Sequence, residues 1–501
     1  MNEIFTSRIK RREIHECALC MDAPCAAACP KSFDCAKALQ SIWLNNAEYA
    51  SMCLPEKNPC VGCSAPCERA CIKPRKVGIK RLVARLAELK ALDHQTEAVD
   101  FSVLKTDICG IPLENPFLLS SSVVASSYEK CARAFEAGWA GICYKTLSLL
   151  DIHEASPRYS AIEGDNGAII GFKNIEQLSD HSIAEDLHIF RELKKNYPNK
   201  FILASIMGRN EDEWRELAAL CEESGADAIE LNFSCPNMAE GGLGSDIGQV
   251  PELVEKFTAA AKRGCHIPVL AKLTPNVANM TPAAEAAVRG GADGIAAINT
   301  IKSITGVNLH TYVSEPAVHG LSAVGGYSGA AVKPIALRFI MELGKLDALE
   351  GKHISGMGGI ETWTDAAEFL LLGAGSVQVT TAVMKYGSRI IEDLKTGLAL
   401  YMNQKGFRSI RELTGEGLSF VHGSTDVIER DTVIYPRIIK SKCTGCGRCV
   451  ISCADGGHEA LRFAEYRRVV MEAKKCVGCH LCALVCPEDA IETNGRRVPK
   501  K

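Results

Sequence analysis

Residues 201–234 read FILASIMGRNEDEWRELAALCEESGADAIELNFS, and the fold follows from how this stretch alternates. FILASIMG is a short apolar run with β-branched residues. EDEWRELAALCEESG then repeats its apolar positions at the helical period and stops at a glycine, after which AIELNFS is a second apolar run. Strand, amphipathic helix and strand in succession make a parallel βαβ unit. Working outward, NPFLLSS and AGICYKT precede this unit, and PVLAKLT, GIAAINT, HISGMGG and SVQVTT follow it. PELVEKFTAAAKRG, TPAAEAAVRGG and TDAAEFLLLG supply further helices that end at glycine. Eight βα units between residues 104 and 410, without antiparallel hairpin signals, predict an α/β fold built on a (β/α)8 TIM barrel. An open doubly wound sheet is the alternative, but the chain has no GxGxxG fingerprint.

The 501 residues are 47% hydrophobic and 23% charged, with a formal net charge of −3. That balance gives no electrostatic case for nucleic acid, and no stretch approaches the roughly 18 apolar residues of a membrane span. The opening MNEIFTSRIKRREIHEC has no apolar core of a secretory signal, so a cytoplasmic location is expected. In that reducing compartment, 24 cysteines point to metal ligation rather than disulfides. Ten lie before residue 72, eight after residue 442 and six between. Three domains are expected: an N-terminal α-helical iron–sulfur domain and linker (1–100), the barrel (101–410) and a C-terminal two-cluster ferredoxin-like domain (411–501). IKRLVARLAELKALDHQTEAVD, at residues 79–100, reads as the connector.

Cys443, Cys446, Cys449 and Cys453 are spaced x2, x2, x3, and the spacing recurs 33 residues later at Cys476, Cys479, Cys482 and Cys486, followed by Pro487. This is the bacterial ferredoxin run, in which the fourth cysteine of each run serves the other [4Fe-4S] cluster. One cluster is therefore assigned to Cys443, Cys446, Cys449 and Cys486. The other takes Cys476, Cys479, Cys482 and Cys453.

The N-terminal block is less regular, with Cys17, Cys20, Cys25 and Cys29 in CALCMDAPCAAACP and Cys63, Cys67 and Cys71 in CSAPCERAC. It resembles the two-cluster domain at the front of dihydropyrimidine dehydrogenase and of the glutamate synthase small subunit. The resemblance implies one [4Fe-4S] cluster on Cys17, Cys20, Cys25 and Cys71, and three corners of another on Cys29, Cys63 and Cys67. In those families a Gln or Glu of the next helix completes the second cluster, but Val83 stands at that place. Cys60 is the nearest substitute, with Cys35 and Cys53 behind it; all three as free buried thiols is the other reading.

Within the barrel the strand ends collect small residues, amides, hydroxyls and two lysines, and no HExxH, nucleophile elbow or paired carboxylates. Such a set suits a phosphorylated, hydrogen-bonding cofactor, with GMGGI and VTTA where barrels of this kind hold phosphate. NPFLLSSS, AFEAGWAGICYKTLSL, GFKNIEQLS, ASIMG, GADAIELNFSCPN, AKLTPNV, INT, GGYSGAAVKPIALR and GMGGI resemble the flavin barrel of the dihydropyrimidine dehydrogenase family, related to the dihydroorotate dehydrogenases. The order of parts, barrel then ferredoxin module, is also that family's.

The resemblance implies FMN at the barrel mouth. Ser121, Lys145, Thr146 and Lys272 would contact its ring, and Gly329, Gly358, Gly359, Thr380 and Thr381 its phosphate. It implies a pyrimidine held by Asn174, Glu176, Asn232, Ser234, Asn299 and Thr300. Cys235 would be the acid that protonates C5, on a loop that Gly241, Gly242 and Gly244 make mobile. The other barrel cysteines, Cys109, Cys131, Cys143, Cys221 and Cys265, are assigned to packing. The implied activity interconverts uracil or thymine with 5,6-dihydropyrimidines. Since no nicotinamide-binding fingerprint is present, electrons would come through the clusters from a separate FAD/NAD(P)H-binding flavoprotein subunit, as in the bacterial NAD-dependent type, or from a ferredoxin. An oligomeric assembly is expected. Two alternatives stand beside this reading. A dihydroorotate dehydrogenase-type enzyme shares NxSCPN, although Asn174 to Glu176 and the fused clusters weigh against it. A non-catalytic electron-transfer subunit would have no use for Cys235.

Overall fold

The computed structural model describes residue 14 and residues 17–92, 99–164, 167–238 and 242–500. The chain folds as two compact units that divide between Val421 and His422. Within the first, the opening stretch forms the expected βαβ unit: strand Phe201–Ile206, helix Glu211–Glu223 and strand Ala228–Asn232. Asn210 caps the helix, its side chain accepting from the N–H groups of Asp212 and Glu213 at 3.1 Å. Gly225, with φ +93°, supplies the left-handed turn after it.

All eight expected strands form: β1 Phe117–Leu119, β2 Gly141–Leu147, β3 Phe201–Ile206, β4 Ala228–Asn232, β5 Val269–Lys272, β6 Gly294–Ala297, β7 His353–Met357 and β8 Ser376–Val379. Each is hydrogen-bonded in parallel to its neighbours in chain order, and β8 returns to β1 to close a barrel. β2, β3, β4, β5, β6 and β8 are buried along their whole length, as strands covered on both faces must be.

Within the first unit, antiparallel strand pairing, absent from the sequence reading, joins described residues in two places. Thr106–Ile108 pairs with Ile111–Leu113 around a two-residue turn in which Cys109 (φ +51°) and Gly110 (φ +87°) are both left-handed. Cys-Gly is not one of the usual dipeptides for such a turn, so the hairpin passes unseen. A four-stranded antiparallel sheet also forms from Tyr159–Glu163 and Ile169–Asn174, after β2, and Ile301–Ser303 and Gly325–Ser328, after β6. Its two halves come from segments more than a hundred residues apart, and no local periodicity reports such a pairing.

The N-terminal helices dock on the barrel's helix Ile391–Lys405. Gln40 Nε2 donates to Asp393 Oδ2 at 3.0 Å, and Asn46 Nδ2 to Thr396 Oγ1 at 2.8 Å. Trp363 Nε1 donates to Asn45 O at 2.9 Å, and Trp363 packs so closely on Gly397 that a Cβ there would overlap its indole. The run read as a connector begins with a packed helix, Ile79–Leu92, that buries Ile79, Leu82, Val83 and Leu86.

The second unit carries helices Arg448–Gly456 and Leu481–Leu484 with three short antiparallel strand pairs. Cys449, Leu461, Val469, Cys482 and Ile491 form its core. Among the described residues, no helix is long and apolar enough to cross a membrane.

Candidate active site at the barrel mouth

The carboxyl ends of the strands open into a cavity with about 1120 Å³ of empty volume. Of the sixteen barrel residues singled out from the sequence, fifteen line it. Ser121, Lys145, Thr146, Asn232, Lys272, Asn299, Thr300, Gly358, Gly359, Thr380 and Thr381 come from strand ends, Asn174, Glu176 and Gly329 from the covering sheet and its flanks, and Cys235 from the loop after β4. Ser234 is the exception. It is fully buried behind the wall, donating to Asn232 Oδ1 at 2.9 Å and accepting from Asn299 Nδ2 at 2.8 Å, so it orients the two amides.

Two lysines enter the cavity, each tied to carboxylate. Lys272 Nζ donates to the fully buried Glu230 Oε1 at 3.1 Å, and Gln378 Nε2 reaches Glu230 Oε2 at 3.2 Å and Ser355 Oγ at 3.1 Å. This network aims the ammonium at one point of the mouth, and removing either charge would strand the other at a cost of roughly 3–5 kcal/mol. Lys145 Nζ lies 3.6 Å from Glu154 Oε1 and 4.0 Å from Glu176 Oε1. Between the lysines, Thr146 Oγ1 meets Ser121 Oγ at 3.1 Å and Ser205 Oγ at 2.9 Å, and accepts from Asn232 Nδ2 at 2.9 Å.

The opposite end is a cradle of small residues. Gly329, Gly358 and Gly359 have φ of +102°, +121° and +85°. A Cβ on Gly359 would come within 2.8 Å of Lys333 N and 3.0 Å of Gly329 O, so only glycine leaves the space between these loops open. Thr380 and Thr381 close it, hydrogen-bonded to Ser122 at 3.2 Å and Ser328 at 3.0 Å. A phosphate fits this donor-rich hollow, and a flat ring reaching from it toward Lys272 fits the rest.

Cys235 is buried, and burial pushes its thiol up to about 11, against the lowering by the backbone N–H of Asn237. Its carbonyl accepts from Ser245 N at 2.9 Å. Gly244, at φ +54°, passes so close that any Cβ would overlap the Cys235 carbonyl. Gly244 thus seats the cysteine, whereas a Cβ on Gly242 would meet open space. Gly241 lies outside the described residues.

Sequence reasoning missed several wall residues. Tyr159 donates its hydroxyl to Glu176 Oε2, and Asn237 Nδ2 donates to Asn174 Oδ1 at 3.1 Å and Glu176 O at 2.7 Å. Asn237 ends the SCPN run and was available to be found; its Oδ1 is buried without a partner. Tyr159, Phe172 and Tyr327 lie on the unseen antiparallel sheet, and Gln378 faces inward from β8. Of the cysteines assigned to packing, Cys131, Cys143, Cys221 and Cys265 are buried, and Cys109 occupies the hairpin turn.

Elsewhere three sets of four cysteines each line a hollow. In the C-terminal unit one cavity is lined by Cys443, Cys446, Cys449 and Cys486, and a second by Cys453, Cys476, Cys479 and Cys482. These are the crossed sets, and the thiolate donors suit a [4Fe-4S] cluster in each. In the first unit Cys17, Cys20, Cys25 and Cys71 line one hollow. Burial, and then the neighbouring Cys63 and Cys29, push the Cys60 thiol up, and burial with Cys60 and Cys29 beside it pushes Cys67 up, so these four cysteines lie close together. Val83 is buried, whereas Cys53 faces Tyr49, Lys37 and Glu392, and Cys35 hydrogen-bonds Cys25.

Residues 103–402 match the dihydroorotate dehydrogenase family, and residues 436–493 match the 4Fe-4S dicluster domain. The chain is 52% identical over 365 residues to the NAD-dependent dihydropyrimidine dehydrogenase subunit PreA of Escherichia coli K12, covering 73% of this chain and 89% of that one. It is 37% identical over 374 residues to the chloroplastic dihydropyrimidine dehydrogenase (NADP(+)) of Arabidopsis thaliana, covering 72% and 85%. It is also 37% identical over 320 residues to the catalytic subunit of dihydroorotate dehydrogenase B (NAD(+)) of Pyrococcus horikoshii, covering 63% and 98%.

Proposed function

The chain belongs to the dihydropyrimidine dehydrogenase family of iron–sulfur oxidoreductases, and from that premise we propose that its barrel mouth interconverts uracil or thymine with their 5,6-dihydro forms. The observation that carries the reading is the convergence of one buried thiol, Cys235, with Asn174, Glu176, Asn232, Asn299 and Thr300 on a single cavity. A pyrimidine edge carries both N–H and C=O groups, and the amides, hydroxyl and carboxylate of this wall offer both acceptors and donors. FMN, when bound, would supply the hydride chemistry, with Lys272 and Lys145 at its ring, beside Ser121 and Thr146, and the Gly329, Gly358, Gly359, Thr380 and Thr381 cradle at its phosphate. Asn232 and Asn299, aligned by Ser234, would hold the substrate, and Cys235 would carry the proton for C5.

Anaerobic mixing of the FMN-loaded chain with a panel of dihydropyrimidines tests this. Dihydrouracil or dihydrothymine should bleach the flavin while dihydroorotate leaves it oxidised; bleaching by dihydroorotate alone would transfer the chain to the other branch of the family.

Four [4Fe-4S] clusters complete the proposal. Cys17, Cys20, Cys25 and Cys71 would hold one N-terminal cluster and Cys29, Cys60, Cys63 and Cys67 the other, Cys60 replacing the ligand absent at Val83. Iron analysis should return about sixteen per chain, falling to about twelve in Cys60→Ala. A Cys60→Ala protein with full iron would leave Cys60 a free thiol. The relative's name describes a subunit of a NAD-dependent enzyme, which supports a separate FAD/NAD(P)H-binding flavoprotein as the electron partner, with a ferredoxin as the other candidate.

A further inference from the structure

One charged side chain, standing behind Lys145 and Glu176 of the cavity wall, has no part in the reading above. Glu154, in the segment after β2, has a side chain only 6% exposed, and its Oε2 is buried without a hydrogen-bond partner. Its Oε1 accepts the Gln177 N–H at 2.9 Å and lies 3.6 Å from Lys145 Nζ. Lys145 Nζ is also 4.0 Å from Glu176 Oε1, which is 3.7 Å from Arg158 Nη1 and whose partner oxygen accepts from Tyr159. Burial lifts the Glu154 carboxyl, while the Gln177 N–H, Lys145 and Arg158 lower it and Glu176 raises it. Two cations and two carboxylates therefore share this corner, and their formal charges cancel.

A buried lysine facing a cavity is an anion site when nothing balances it, and a neutral donor set when carboxylates do. We infer that Glu154 is a specificity-determining residue: together with Glu176 it neutralises Lys145, so that the site selects uncharged pyrimidine rings and rejects ring-carboxylated ones such as orotate. This rests on the pyrimidine reading and narrows it to a substrate class. Uracil and orotate offer the amide wall the same ring edge and differ by one carboxylate. In this corner that carboxylate would give up its hydration without meeting an unpaired cation, and it would be repelled by the Glu154 oxygen that has no partner.

The test is anaerobic titration of the FMN-loaded full-length protein with uracil, orotate and orotamide, the uncharged carboxamide counterpart of orotate, followed by perturbation of the flavin absorbance. The parent should bind orotamide about tenfold more tightly than orotate, one elementary charge at this range being enough for such a ratio. Glu154→Gln should raise the orotate-to-uracil affinity ratio by about tenfold, and Glu154→Asp, which keeps the charge, should stay near the parent ratio. An unmoved ratio in Glu154→Gln overturns the inference. So does equal affinity of the parent for orotate and orotamide, a comparison that stays decisive even where the variant does not fold. If neither uracil nor dihydrouracil perturbs the parent flavin, the pyrimidine reading itself falls and takes this inference with it, a result distinct from the other two.

Discussion

Replacing Cys235 with alanine should lower dihydropyrimidine turnover by about 10²- to 10⁴-fold, the range over which a positioned acid contributes, while FMN stays bound. Saturating C5–C6 requires a proton at C5 from the ring face opposite the hydride donor, and Cys235 is the cavity-lining thiol on the loop after β4. Burial pushes that thiol up to about 11, which keeps it protonated at neutral pH, as an acid must be. The raised value fixes the sign of the pH dependence. Pyrimidine reduction should hold across neutral pH and fall only as the pH approaches about 11, whereas dihydropyrimidine oxidation, which needs the thiolate as base, should rise with pH over the same span. Alkylation by iodoacetamide should track the thiolate and rise likewise. FMN retention follows from the geometry, since the glycine and threonine cradle is built from other loops. Slow bleaching of the flavin by substrate should persist in the variant, and a variant with parental turnover would refute the role.

The second large effect concerns electron delivery. Cys486→Ala should cost about four irons per chain and remove most turnover supported by an external donor, while leaving flavin bleaching by dihydropyrimidine intact. Cys486 lies in the second run, yet it lines the cavity of Cys443, Cys446 and Cys449. Crossed ligation therefore makes a sharper statement about pairs. Cys446→Ala and Cys486→Ala should each remove the same cluster, so the double variant should lose about four irons rather than eight. Cys479→Ala with Cys486→Ala should lose about eight, because Cys479 lines the other cavity, with Cys453. Iron losses in the reverse pattern would mean that each run holds its own cluster.

The barrel was legible because its signals are local. Most βα units carry their own apolar run, helical period and glycine stop; seven of the eight strands fall within their quoted runs, and β2 runs one residue past AGICYKT, to Leu147. AIELNFS, for example, stops being strand at Asn232, where Ser234 turns inward to tie two amides together. Strand ends are also where a parallel barrel concentrates its chemistry, so most of the fifteen candidates that line the cavity stand in the strand-end inventory, whereas Asn174, Glu176 and Gly329 came only from the family resemblance. The antiparallel cover and Glu154 were not legible. The cover pairs Phe172, Lys173 and Asn174 with Gly326, Tyr327 and Ser328 across more than a hundred residues. Glu154 matters only because Lys145 and Glu176, from other segments, fold against it.

Sequence alone determined the barrel, the ferredoxin repeat and the crossed assignment of its cysteines, since each is written in spacing along the chain. Tertiary structure decided which charges meet. Whether Lys145 is an anion site or a neutralised donor depends on distances of 3.6 and 4.0 Å to two carboxylates. Whether Cys235 is a thiol or a thiolate depends on its burial. Both are set by the low-dielectric surroundings that only the closed barrel and its cover create.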